Sequence, residues 1–208
     1  MLKLYYAPGA CSQAIHIALH EARLEHTSEA VDLRAKRTET GADYWAINPK
    51  GAVPALDLGN GEVLTENAAI LQYLGDLAGD PQLFPPVGDL RRYRVLEWLN
   101  FIATELHKGF GPLWNPASLE DAKQGARDIL AKKFDYAEKK RGAGPFLMGE
   151  QVTIADPYLF VMLSWTGMHS IDLGRWPGLV AFHERMRSRP AVDIVLRAEG
   201  LVEEEVAG

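Results

Sequence analysis

The sequence predicts a small α/β domain followed by an all-helical one. Three observations carry this. Up to residue 77, short β-favouring runs alternate with helical stretches in the order β-α-β-α-β-β-α. A break follows in "AGDPQLFPPVGD" (78–89), with two glycines, three prolines and no periodicity. Beyond it strand signals almost vanish. The expected domains are therefore 1–79 and 89–208, with a linker at 80–88.

The elements follow in order. "LKLYY" (2–6) reads as a strand that meets the turn pair Pro8-Gly9. In 12–23, Ile15, Ala18, Leu19 and Ala22 recur at helical spacing. "TSEAVDL" (27–33) is a second strand, and "DYWAINPKG" (43–51) a brief helix or turn stopped by Asn48-Pro49. "VPALDL" (53–58) and "EVLTE" (62–66) flank "GNG", a hairpin signal. "NAAILQYLGDL" (67–77) is helical. Later helices are expected over 89–112, 119–141, 154–169 and 177–188, with a short one in 191–201. "TIAD" (153–156) fits a capping box, with Asp156 reaching back to the Thr153 N–H.

Bulk properties narrow the function. The 208 residues are 47% hydrophobic and 24% charged, enough for a sizeable core. A net charge of −6 without a long basic run argues against nucleic-acid binding. A single cysteine excludes an internal disulfide and fits a reducing compartment. With no signal-like N-terminus and no membrane-length apolar run, a soluble cytoplasmic protein is expected.

That one cysteine, Cys11, falls between the Pro8-Gly9 turn and the first helix. Unpaired N–H groups and the helix dipole at such a place favour a thiolate. The alternatives are a small buried hydrophobe, or Ser12 as the working group. Val53-Pro54 opens an apolar strand. A cis bond there would leave the Val53 N–H and C=O able to pair with an extended peptide; a trans proline would merely start an edge strand. In "TEN" (65–67), Glu66 can bind an amine and the N–H groups beyond it a carboxylate, or these residues only cap the helix. In "EWLNFIATELHKGF", Leu99, Ile102, Ala103 and Leu106 form an apolar stripe, and Asn100, Thr104 and His107 an uncharged polar one. His16 and His20 have a metal-compatible spacing, but no Glu follows His16 and no third ligand is evident, so no metal is expected.

Together "KLYYAPGACS", "INPKGAVPAL", "LTENAAILQYL", "EWLNFIATELHK" and "IADPYLF" resemble the cytosolic glutathione transferases, most nearly the bacterial beta class. The resemblance spans nearly the whole chain in family order. It implies a thioredoxin-like first domain with a mixed four-stranded sheet, and an all-helical second domain carrying the second-substrate pocket. It also implies glutathione as co-substrate, a small apolar electrophile and a homodimer. By resemblance, Cys11 neighbours the glutathione sulfur as hydrogen-bond partner or mixed disulfide. Lys36 meets the glycyl carboxylate, Val53 pairs with the cysteinyl backbone, and Glu66 and Asn67 hold the γ-glutamyl end. Asn100, Thr104, Glu105, Leu106 and His107 complete the pocket, with His107 near the sulfur; Ala10, Trp114 and Trp165 line the second pocket. Asn67 departs from the Ser or Gly of many members, and Gln13-Ala14 departs from Leu-Ser or Leu-Ala. Tyr5 and Tyr6, tempting as thiol activators, are assigned to strand packing. The expected activity is conjugation of glutathione thiolate to electrophiles. Its alternatives are glutathione-dependent disulfide, peroxide or reductive dehalogenation chemistry with Cys11 as nucleophile, and a non-enzymatic ligand-binding role.

Overall fold

The computed structural model describes residues 1–202; the last six residues of the expected 89–208 domain lie outside the described part. The chain divides into two compact units: Met1–Asp80 together with the described residues from Arg187 onward, and Pro81–Met186.

The first unit is built on β1 (Leu2–Tyr6), α1 (Gln13–Glu21), β2 (His26–Asp32), β3 (Arg37–Thr38), α2 (Tyr44–Ile47), β4 (Ala55–Asp57), β5 (Val63–Thr65) and α3 (Asn67–Ala78). The sheet order is β3-β2-β1-β4-β5. β1 runs parallel to β2, with Leu4 opposite Ser28, and antiparallel to β4, with Leu4 opposite Leu56. The parallel pairing requires α1 as a crossover. β1 is central and buried along nearly its whole length, which suits its run of Leu and Tyr. The sheet is mixed, as expected, but has five strands rather than four. The extra one, β3, is two residues long, too short to leave a periodic signal. It forms because Glu39 donates its N–H to Ala30 and the turn closes between Thr38 and Ala42.

Tyr5 and Tyr6 pack as read, Tyr5 against Tyr44 at 6.0 Å and Tyr6 against His16 at 5.2 Å between ring centroids. α1 is buried from Gln13 to Leu19. It packs against α3 and also against α9 (Pro190–Ala198), whose Val192, Val195 and Leu196 are buried. Arg189 forks onto Glu21 of α1 at 2.5 and 2.7 Å. The C-terminal helix therefore groups with the first unit, where sequence reading had placed it with the helical domain.

The second unit holds α4 (Leu90–Phe101), α5 (Gly111–Trp114), α6 (Glu120–Arg141), α7 (Asp156–Ser164) and α8 (Pro177–Arg187), the last ending at the unit's edge. The helix expected over 89–112 is continuous in path but not in type. A π turn (Ile102–His107) and a 3₁₀ turn (Lys108–Phe110) separate α4 from α5. The apolar stripe holds, with Leu99, Ile102 and Leu106 fully buried. α7 is buried from Asp156 through Leu163 and forms the middle of this unit. Asp156 accepts from the Thr153 N–H at 2.6 Å, as the capping box predicts, and also from the Thr153 hydroxyl at 2.7 Å and the Leu147 N–H at 2.8 Å. Among the described residues no helix is long and apolar enough to cross a membrane.

Candidate active site

Between β1 and α1 the chain turns tightly, with the Ala10 N–H on the Ala7 carbonyl at 3.0 Å. Gly9 adopts φ +67°, a left-handed conformation that glycine takes without strain. The Gly9 N–H donates to Glu199 Oε2 at 2.9 Å, and Gln13 Nε2 donates to the same oxygen at 3.0 Å. Ser12, the rival nucleophile, is consumed by the turn: its Oγ accepts from the Ala7 N–H at 3.1 Å and donates to the Ala7 carbonyl at 3.3 Å.

This turn places Cys11 just ahead of α1, 9% exposed. Its Sγ donates to the Val53 carbonyl at 3.2 Å. Burial pushes the thiol up to about 11. Hydrogen bonds from the Asn67 side chain and the Cys11 and Ser12 N–H groups pull the other way but do not prevail, and the Glu66 carboxylate adds to the rise. The expectation from a helix N-terminus is a thiolate; burial acts in the opposite direction. Desolvation outweighs these hydrogen bonds, and the Sγ–H is placed as a donor to the Val53 carbonyl.

Val53-Pro54 is cis. Three side chains hold the loop before it: Tyr44 Oη and Asn48 Nδ2 donate to the Ala52 carbonyl at 2.9 and 2.7 Å, and Lys36 Nζ donates to the Gly51 carbonyl at 2.6 Å. Gly51 is required here, because a Cβ would sit 2.5 Å from the Trp45 ring. Lys36 also lies over that ring, 5.4 Å from its centroid, so it is not the freely solvated lysine its charged neighbours suggest. Of the two Val53 groups expected to face outward, the carbonyl faces the Cys11 thiol.

Glu66 precedes α3 with φ +75°, which costs a non-glycine residue about 1–3 kcal/mol. Its side chain makes no capping bond. The carboxylate instead takes Lys50 Nζ at 2.5 Å, and Lys50 also reaches Thr65 Oγ1 at 2.9 Å. Asn67 is buried, and its Oδ1 has no hydrogen-bond partner. The Asn67 side chain also lies within hydrogen-bond reach of the Cys11 thiol. Cys11, Val53, Glu66 and Asn67 are thereby brought into one neighbourhood, with Lys36 fastened to the same loop. Ala10 packs on the cluster of Tyr5, Ala7, Val31, Tyr44, Val53 and Ala55 behind it.

In the second unit the expected polar stripe is exposed at Asn100 and Thr104 and half-buried at His107. Asn100 and Thr104 bond locally, to the Leu96 and Asn100 carbonyls at 2.8 and 3.0 Å. Leu106 is core, so its side chain is unavailable to a ligand. Glu105 pairs with Lys133 at 2.5 Å and, with Phe101, Ile129, Lys132 and Tyr136, lines a cavity of about 570 Å³. His107 is half-buried, its Nδ1 2.7 Å from Tyr158 Oη and its ring 5.3 Å from Trp165. Trp165 is buried and Trp114 half-exposed, their rings edge-to-face at 5.2 Å.

Sequence reasoning missed Glu199, Lys50, Tyr44 and Asn48. Glu199 lies 190 residues from Gly9, so only the fold reveals it. Asn48 stands in the quoted "INPKGAVPAL", where its amide before Asn48-Pro49 was a readable signal.

Two family models match the chain, the glutathione S-transferase N-terminal domain over residues 9–77 and the C-terminal domain over 101–190. Glutathione S-transferase GstA of Escherichia coli O157:H7 is 48% identical over 200 residues, covering 96% of this chain and all of the relative. A sphingomonad glutathione S-transferase complexed with glutathione superposes with TM-score 0.92 at 42% identity, covering 96% of this chain and all of that one. The bacterial beta-class enzyme of Sphingomonas chungbukensis does so with TM-score 0.92 at 43% identity and the same coverage. With both halves matched in order, and with the cysteine turn, the cis-proline loop and the strained Glu66 in place, the chain belongs to the glutathione S-transferase family.

Proposed function

We propose that this protein conjugates glutathione to small apolar electrophiles, with Cys11 as a hydrogen-bond donor to the glutathione sulfur. The observation that carries the reading is the buried Cys11 thiol at the turn before α1, its Sγ 3.2 Å from the carbonyl of Val53 in the cis-proline loop. A thiol near pKa 11 stays neutral at pH 7 and, on releasing the Val53 carbonyl, can donate its one proton to a glutathione thiolate, stabilising it. Each unit by which the glutathione thiol pKa falls corresponds to about 1.4 kcal/mol.

The remaining roles follow from ligand chemistry. Lys36 offers its ammonium to the glycyl carboxylate, exchanging the Gly51 carbonyl for it. Val53 pairs with the cysteinyl backbone, and Glu66 takes the γ-glutamyl amine in competition with Lys50. Asn67, the first residue of α3, joins Glu66 at the γ-glutamyl end. Within the helical unit His107 is held by Tyr158, and Asn100, Thr104 and Glu105 lie on the same run of chain. A homodimer in the cytoplasm is the assembly family membership supports, and sedimentation of the purified chain checks it.

The same protonation state sets disulfide chemistry second, because the attacking species there is the thiolate. Wild type and Cys11→Ala separate the two readings, each assayed with glutathione plus an aromatic halide and, separately, with a mixed disulfide. Conjugation at neutral pH should fall about 10-fold or more in the variant, the loss of one hydrogen bond to a charged group. Its pH profile should shift upward by about one unit. Unchanged conjugation with abolished disulfide reduction, and a DTT-reversible glutathione adduct on the wild type alone, would make Cys11 a redox nucleophile instead.

A further inference from the structure

His16 and His20 stand one turn apart on α1, and the 22–25 connection returns the chain so that His26, at the start of β2, joins them. One ring nitrogen from each of the three lies within 4.8 Å of the other two. The ring centroids are 5.6 Å apart for His16 and His20, 5.9 Å for His16 and His26, and 4.8 Å for His20 and His26. The third ligand that sequence reading could not find is therefore His26, five residues beyond the helix end and across the loop.

The outward nitrogens of two rings are already directed. His26 Nδ1 is 2.8 Å from the Leu24 carbonyl, which only accepts, so Nδ1 carries the proton and Nε2 the lone pair. His16 Nδ1 is 3.0 Å from Glu199 Oε1, and the same reasoning leaves Nε2 as its ligand atom. A carboxylate behind one imidazole and a backbone carbonyl behind another is how metal-binding histidines are oriented. His16 is buried, whereas His20 and His26 are only half-buried, so the cluster opens to water on one side. Tetrahedral zinc with bonds near 2.0–2.1 Å needs nitrogens roughly 3.3 Å apart. Closing from 4.8 Å to that separation requires His20, whose ring has no hydrogen bond to the backbone or a carboxylate among the described residues, to turn and His26 to shift with it.

We propose that His16, His20 and His26 form a three-histidine site for a divalent transition ion, zinc first, with water in the fourth position. It uses none of the side chains assigned to glutathione. The ion would tie the end of α1 to the start of β2 and, through the Glu199 bond to His16, to the segment after α9.

The test is zinc titration calorimetry and cobalt(II) absorption on the chelator-treated full-length protein, without glutathione or reductant. Wild type is compared with His20→Ala, His26→Ala and Cys11→Ser, each verified as folded by circular dichroism. Wild type should bind one zinc per chain, give a tetrahedral cobalt spectrum and gain thermal stability with zinc. Each histidine variant should lose about 100-fold in affinity, and Cys11→Ser should lose none. His20 is half-exposed, so His20→Ala decides the matter even if His26→Ala does not fold. No zinc binding by wild type, equal binding by folded His20→Ala, or binding abolished by Cys11→Ser would each overturn the proposal.

Discussion

On the Cys11 sulfur, burial and hydrogen bonding oppose each other, and burial prevails, pushing the thiol up to about 11 from 9.0. A two-unit rise lowers the thiolate fraction at pH 8 about 100-fold. Alkylation by iodoacetamide should therefore be at least that much slower than for glutathione alone, and fast alkylation at pH 8 would show an ionised thiol. A raised thiol pKa stabilises the fold below the unfolded value, and that contribution is lost as pH rises through about 11. The identity of this residue was legible from its turn and its rarity. Its ionisation was not, because the burial that decides it is set by the fold and not by the residues beside Cys11 in sequence. Glu66 is similar: its position before a helix was readable, but its φ of +75° and its pairing with Lys50 belong to the folded loop.

Elements whose pattern is local were legible; those held by distant partners were not. β1, α1 and the β4–β5 hairpin announce themselves by period and turn residues. β3 does not, since it exists through pairing rather than through its own two residues. The capping box before α7 was readable in type, but Leu147 as a third donor was not. Asp156→Ala leaves three donors without their carboxylate in a fully buried place, so it should cost about 3 kcal/mol or more. Thr153→Ala should cost only about 0.5–2 kcal/mol. Urea unfolding of the two variants checks that order. Glu29 on β2 joins Lys3 of β1 at 2.5 Å and the Thr40 hydroxyl at 2.6 Å. Burial alone would raise this carboxyl, but the bonds from Lys3, Thr38 and Thr40 hold it down at about 2. A depressed carboxylate stabilises above its unfolded pKa of 4.5 and loses that contribution as pH falls through about 2. Wild type should thus lose stability between those values, and Glu29→Gln should show a shallower loss over the same window.

At the scale of the molecule, sequence reading found two α/β and helical parts and a break near residue 80, and the compact units change over at Asp80. It could not assign α9, whose helical period is clear but whose partner is α1, some 175 residues earlier. The π turn at Ile102–His107 was hidden because the run around it keeps a helical apolar spacing and contains no Gly or Pro to mark the change. Glutathione binds the folded chain in the proposed account, so it should stabilise it by about 2.7 kcal/mol at 100 times its Kd. The most direct measurement is calorimetric titration of wild type and Lys36→Ala with glutathione and with γ-glutamylcysteine, which lacks the glycyl carboxylate. Lys36→Ala should weaken glutathione about 10- to 100-fold, the value of a charge-assisted contact, and leave γ-glutamylcysteine nearly unchanged. Equal weakening of both ligands, or of neither, would contradict the assignment of Lys36 and with it the proposed placing of glutathione on the Cys11 turn and the cis-proline loop.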